Sequence, residues 1–192
     1  MIDDVLAFWF GDEPTPTDAT MRRWFMRDAA FDAQIRERFG DLHAKAVAGG
    51  LTDWLGSARG TLALLIVIDQ FSRNLYRDDP RAFAQDGRAL AIARELWGSG
   101  RARELTPLER MFVLMPYQHS EDLAMQREGI AEYEKLAAEP GAPPMLKMAL
   151  DFARKHAEII ERFGRFPHRN EVLGRETTPE ERAFLEQPGS RF

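Results

Sequence analysis

The chain has 192 residues, 44% of them apolar, with 26 Lys/Arg against 31 Asp/Glu and no cysteine. That length and apolar share fit a single folded domain, residues 1–192, and exclude a disordered chain. The missing cysteines exclude disulfides, thiolate catalysis and Cys-held zinc or iron–sulfur clusters, and the net charge of −5 argues against nucleic acid and anionic membrane as partners.

In chain order, the spacing predicts helices near 3–10, 18–48, 60–75, 80–98, 107–115, 119–138, 144–163 and 179–186. The start, Met1-Ile2-Asp3-Asp4, is acidic where a secretory signal would be basic, so a cytoplasmic protein is expected. Thr15-Pro16 is a weak helix start. Phe31, Ile35, Phe39 and Leu42 follow the three- and four-residue steps of a helix with one buried face. Leu62–Ile68 is apolar on nearly every side, hence central, and far shorter than the ~20 residues that span a bilayer. Asp79-Pro80 is a second weak start, before the stripe Phe83, Ala89, Leu90, Ala93 and Trp97.

Thr106-Pro107-Leu108-Glu109 and Thr178-Pro179-Glu180-Glu181 are capping-box sequences, in which hydroxyl and carboxylate satisfy orphan backbone N–H groups reciprocally. Pro116 is expected to interrupt its helix. Leu123, Ile130, Tyr133 and Ala137 form one stripe; Met145, Met148, Ala149, Phe152, Ile160 and Phe163 form the longest. Gly49-Gly50, Gly98, Gly141 and Gly164 stand where helices stop. No segment alternates with period two. The expected fold is all-α: antiparallel helical hairpins in a compact bundle or a short solenoid.

Four polar places interrupt the apolar faces. Asp69-Gln70-Phe71-Ser72-Arg73-Asn74 closes the central helix; Asp69 points inward and lies four residues before Arg73, so the two pair on one face, with Asn74 as a C-cap. In Pro116-Tyr117-Gln118-His119-Ser120-Glu121-Asp122, His119 falls on an apolar stripe with Gln126. An imidazole flanked by carboxylates is a candidate general base, and equally a helix lock. His156 sits on the long stripe. From Arg154 to Arg175 six Lys/Arg face three Glu, a surplus of +3 that leaves −8 for the rest. Arg162, Arg165, His168, Arg169 and Asn170 lie in that segment, and an arginine fork suits carboxylate or phosphate.

No cofactor motif is present: no Gly-rich phosphate loop, nucleophile elbow, HExxH or EF-hand loop. No two of the four histidines stand three or four residues apart, so no metal is expected; a zinc site would have to recruit His119, His156 and Asp69. Trp9, Trp24, Trp54 and Trp97 are expected to pack.

Together Val5-Leu6-Ala7-Phe8-Trp9-Phe10-Gly11, Trp24-Phe25, Asp69–Asn74, Pro116–Asp122 and Arg162-Phe163-Gly164-Arg165-Phe166-Pro167-His168-Arg169-Asn170 resemble the signatures of the bacterial family known as domain of unknown function nine-two-four, from about residue 4 to 186. The resemblance implies an all-α, tetratricopeptide-like right-handed superhelix and supplies no activity. Tyr117-Gln118 stands where that family more usually has a Leu/Met-Glu-like pair, which makes Gln118 a poor catalytic candidate.

Three functional readings follow. The leading one is a binding module whose polar cleft takes an anionic group, the carboxylate of a peptide or protein terminus or a phosphorylated small molecule. Asp69, Arg73, Asn74, His119, Gln126, His156, Arg162, Arg165, His168, Arg169 and Asn170 would line it. The second is an enzyme with His119 or His168 as general base, oriented by Glu121 or Asp122. The third is a scaffold with internal polar locks. The blocks around Asp69–Asn74, His119–Asp122 and Arg162–Asn170 are expected to converge, because inward polar groups cost stability unless they pair.

Overall fold

Both Thr-Pro-x-Glu sequences open helices by reciprocal capping. In the computed structural model, which describes residues 1–11 and 16–190, the Thr106 hydroxyl accepts from the Glu109 N–H and the Glu109 carboxylate from the Thr106 N–H; Thr178 and Glu181 repeat the arrangement. Thr15 lies outside the described residues. Asp79-Pro80 opens only a tight turn at Pro80–Ala82, and the regular helix starts later, at Asp86.

The elements are α1 (Ile2–Phe10), α2 (Asp18–Phe25), α3 (Ala29–Val47), α4 (Ala58–Leu65), a wide π turn (Ile66–Gln70), α5 (Phe71–Leu75), α6 (Asp86–Gly98), α7 (Pro107–His119), α8 (Leu123–Ala137), α9 (Met145–Phe163) and α10 (Pro179–Leu185). No strand occurs among the described residues, so the chain is all-α. Met1–Arg77 with Arg81–Leu105 form one compact unit; Asp78–Pro80 with the chain from Thr106 onward form another.

In the first unit, the expected helix 18–48 is two helices. Asp28 breaks it by accepting hydrogen bonds from the Ala30 and Phe31 N–H groups, a cap that the unbroken apolar spacing conceals. The central segment behaves as its composition demands: every residue of Leu62–Ile68 is at most 1% exposed. It passes through the π turn, where the Phe71 N–H reaches back five residues to Ile66 O. Side-chain donors serve the carbonyls around that turn: Ser72 Oγ donates to Ile68 O at 2.6 Å and Arg73 Nη1 to Asp69 O at 2.8 Å. An aromatic cluster of Phe8, Trp9, Trp24, Phe31, Phe39 and Phe71 joins α1, α2, α3 and α5, and Trp24 Nε1 donates to Trp9 O at 2.9 Å.

In the second unit, α7 runs through Pro116 to His119 instead of stopping before the proline. The proline forfeits one ladder bond, but Met111–Gln118 are all buried, and that packing carries the helix on. The next helix consequently begins at Leu123, not 119, with Asp122 capping the Ala124 and Met125 N–H groups. Helices α8 and α9 are antiparallel: Arg127 pairs with Glu161 and Arg154 with Glu134, so numbers fall along one as they rise along the other. Helices α7 and α8 are antiparallel by the same criterion, with Gln126 bonded to Gln118 O and Tyr133 to Met111 O. Their close approach requires Gly129, where a Cβ would lie 2.6 Å from the Tyr117 Cβ.

Helix α9 carries two apolar stripes, and packing buries Leu146, Leu150, Ala153, Ala157 and Ile160. The alanines on that face admit a close neighbour. Met148 and Phe152, expected inside, are 52% and 45% exposed, and Lys155 lies over the Phe152 ring.

Candidate functional site

Within the first unit, Asp69 is 1% exposed and pairs with Arg73 at 3.1 Å, as their four-residue spacing predicts. Arg73 also reaches Asp86 at 3.0 Å, and the Gln70 side chain donates to Asp69 at 2.6 Å. Burial lowers the Arg73 pKa, but Asp69 and Asp86 outweigh it and raise the value overall, which keeps the guanidinium charged. Asn74 is not a C-cap. Its Nδ2 donates to Asp32 at 2.8 Å, Arg77 grips the same carboxylate, and α5 ends instead at Tyr76. Asp32, Arg77 and His43 were not singled out by the sequence, and Ser72 stood there only as a member of the Asp69–Asn74 block. His43 Nε2 lies 2.8 Å from Ser72 Oγ. Ser72 gives its proton to Ile68 O, so the histidine donates to the serine, the reverse of what an activated nucleophile needs.

The second unit joins two of the expected blocks directly. Glu121 accepts the Phe166 N–H at 2.8 Å and a two-pronged grip from Arg175 at 2.6 and 3.0 Å, and Arg175 also donates to Phe166 O. Burial pushes the Glu121 pKa up, but Arg175 and the Phe166 N–H prevail and hold it below the ordinary glutamate value. Asp122 is committed to capping α8. Arg165 grips Glu181 at 2.6 and 2.9 Å; Asn170 and the Thr178 N–H donate to the same carboxylate. Arg165, opposed by burial and helped by Thr178 and Asn170, brings the Glu181 pKa down to about 2. Arg162 pairs with Glu180 on the surface. Gln126 is buried, bonding Gln118 O and Ser120 O at 2.7 Å each, and its Oε1 makes no hydrogen bond.

Phe166 is fully buried and gathers the histidines. The His156 ring stands edge-on to it at 5.6 Å, the His168 ring lies at 5.6 Å, and the Arg169 guanidinium is 4.6 Å from its centre. His156 Nδ1 donates to Phe152 O at 2.8 Å, which fixes its tautomer. Burial drives its pKa down to about 3; that hydrogen bond opposes the shift, and the positive charges of His119, Arg169 and His168 reinforce it. His156, His168 and the Arg169 guanidinium therefore surround one ring, whose backbone is held by Glu121 and Arg175.

His168 also lines a cleft of about 240 Å³ with Pro167, Thr177, Leu185 and three charged side chains, Arg182, Glu171 and Glu186. Among the described residues none of those three makes a side-chain hydrogen bond or an ion pair. Arg182 escaped the sequence reading, which closed its basic segment at Arg175. The signal was the acidic first turn of α10. Glu180 and Glu181 take up Arg162 and Arg165, and Arg182, on the same helix, pairs with neither. Among the described residues no three His, Asp or Glu side chains are grouped to hold a metal ion, and no helix is long and apolar enough to cross a membrane.

The profile of a family described as bacterial protein of unknown function (DUF924) matches residues 5–189. No curated protein matches the chain. The chain is similar to a solved structure, that of the Protein of Unknown Function ATU0120 from Agrobacterium tumefaciens. The identity is 38%, the TM-score 0.83, and the match covers 96% of each chain.

Proposed function

The chain belongs to the DUF924 family of bacterial proteins of unknown function, and on that premise we propose that its second unit is a binding module for a small anionic group, received in the cleft by Arg182 with His168. The observation that carries this reading is the electrostatic status of the arginines. Arg162, Arg165 and Arg175 each already hold a carboxylate. Arg182 has no such partner among the described residues and faces a concavity, with a histidine and the Thr177 side chain beside it. A guanidinium there offers its planar fork to a carboxylate or a phosphate. Binding is favoured over general acid–base catalysis because both candidate orienting carboxylates are committed elsewhere, Glu121 to Arg175 and Asp122 to the start of α8.

Isothermal titration of the whole chain with acetate, inorganic phosphate and a short acidic peptide tests the reading. Binding is expected to weaken about tenfold or more in Arg182→Gln, the loss of roughly 1.4 kcal/mol that one charge-assisted contact supplies. Unchanged heats in Arg182→Gln and His168→Asn would sink it.

A further inference from the structure

Resting on the anion site just proposed, we infer that the ligand is dipolar: it carries an ammonium for Glu171 and Glu186 as well as a carboxylate for Arg182, the chemistry of a free amino acid. The cleft holds two carboxylates and one guanidinium, with His168 as the remaining titratable side chain. A bare anion entering it would meet Arg182 but also two like charges, and such juxtapositions weaken binding and exclude wrong partners. A ligand with both signs satisfies all three side chains, none of which has a side-chain partner among the described residues. Size points the same way. At about 240 Å³ the cleft is smaller than the ~300–1,000 Å³ sites that take drug-sized molecules. Pro167 and Leu185 supply an apolar wall for a short aliphatic side chain.

The test is calorimetry on the whole chain at low ionic strength with four probes: leucine, its des-amino analogue 4-methylpentanoate, its decarboxylated analogue isoamylamine, and inorganic phosphate. Leucine is expected to bind at least about tenfold more tightly than either half-molecule. Glu171→Gln with Glu186→Gln should bring leucine down to the level of 4-methylpentanoate and leave 4-methylpentanoate unchanged or improved. Both glutamates are exposed, so an unchanged melting temperature serves as the control for folding. If 4-methylpentanoate or phosphate binds through Arg182 as tightly as leucine does, the dipolar inference is overturned and the anion site stands. If isoamylamine matches leucine and Arg182→Gln changes nothing, both fall. If no probe binds, both fall as well.

Discussion

The two units handle buried charge differently. In the first, Arg73 lies between Asp69 and Asp86, and Asp32 between Asn74 and Arg77. These groups hold α3, α5 and the start of α6 together. In the second, the arginine-rich segment after α9 is tied pairwise: Arg175 to Glu121, Arg165 to Glu181, Arg162 to Glu180. That pairing ends at the cleft, where Arg182, Glu171 and Glu186 remain. The contrast teaches that a local surplus of arginine marks a binding site only after each arginine's carboxylate has been counted.

The contrast can be broken most sharply in the first unit. Asp69→Ala should cost about 3–5 kcal/mol in urea unfolding, because it strips a partner from a guanidinium held among helices. Combined with Asp86→Asn, the two losses should depart from additivity by more than about 0.5 kcal/mol, since both act on Arg73; an additive pair would mean that Arg73 does not link them. In the second unit, Glu181→Gln should cost about 2 kcal/mol, for it removes an ion pair and weakens the α10 capping box together, though Arg165 is only half-buried.

Acid provides a third probe. His156 titrates near 3 when folded and near 6.5 when unfolded. Between those values the unfolded chain binds more protons, so stability should rise with pH and drain away as pH falls from about 6.5 toward 3. The slope is up to about 1.4 kcal/mol per pH unit. His43, also lowered by burial, acts in the same sense. Glu181 adds its own loss lower down, between about 4.5 and 2. Urea midpoints measured across that range should show a shallower acid limb in His156→Gln; an equally steep limb would assign the acid sensitivity to other groups. The smallest effects belong to the surface. Arg162→Gln and Arg182→Gln should each change stability by less than about 0.5 kcal/mol, so that a loss of ligand in Arg182→Gln cannot be blamed on unfolding. A larger destabilisation in Arg182→Gln would show that this arginine is a structural lock like Arg165.

What was legible in the sequence was local. The capping boxes at Thr106 and Thr178 and the Asp69–Arg73 pair depend on residues three or four apart, and the backbone geometry of a helix decides them. The helix break at Asp28 was legible in principle, as an aspartate before Ala-Ala-Phe, but the apolar spacing ran straight through it. On α9 the spacing picked out Met148 and Phe152, yet Leu146, Leu150, Ala153 and Ala157 are the residues buried, because packing against neighbouring helices, not the period, decides which apolar face turns inward. The site was less legible still. Asp32 and Arg77 are 45 residues apart, and Glu121 and Arg175 are 54 apart. No spacing rule reaches that far. Arg165 looked like an anion receptor until Glu181, read only as a helix cap, turned out to hold it.

The wide turn at Ile66–Gln70 has a consequence for how this chain can change by insertion and deletion. An α-helix advances about 100° per residue, so one extra residue inside a continuous helix re-aims everything after it by that angle. Phe71 and Ser72, both fully buried, and Asn74, which meets Asp32, are aimed by the turn as it stands. Loss of a single codon within Ile66–Gln70 would remove the bulge and leave a longer, more regular helix. Because the wide turn closes on five residues nearly the same sweep that an α-helix closes on four, the serine would still face His43 and the asparagine Asp32. The chain would then have more regular backbone bonding and an interior aimed as before, so the turn is a place where a one-residue change of length is absorbed that a continuous helix would pass on.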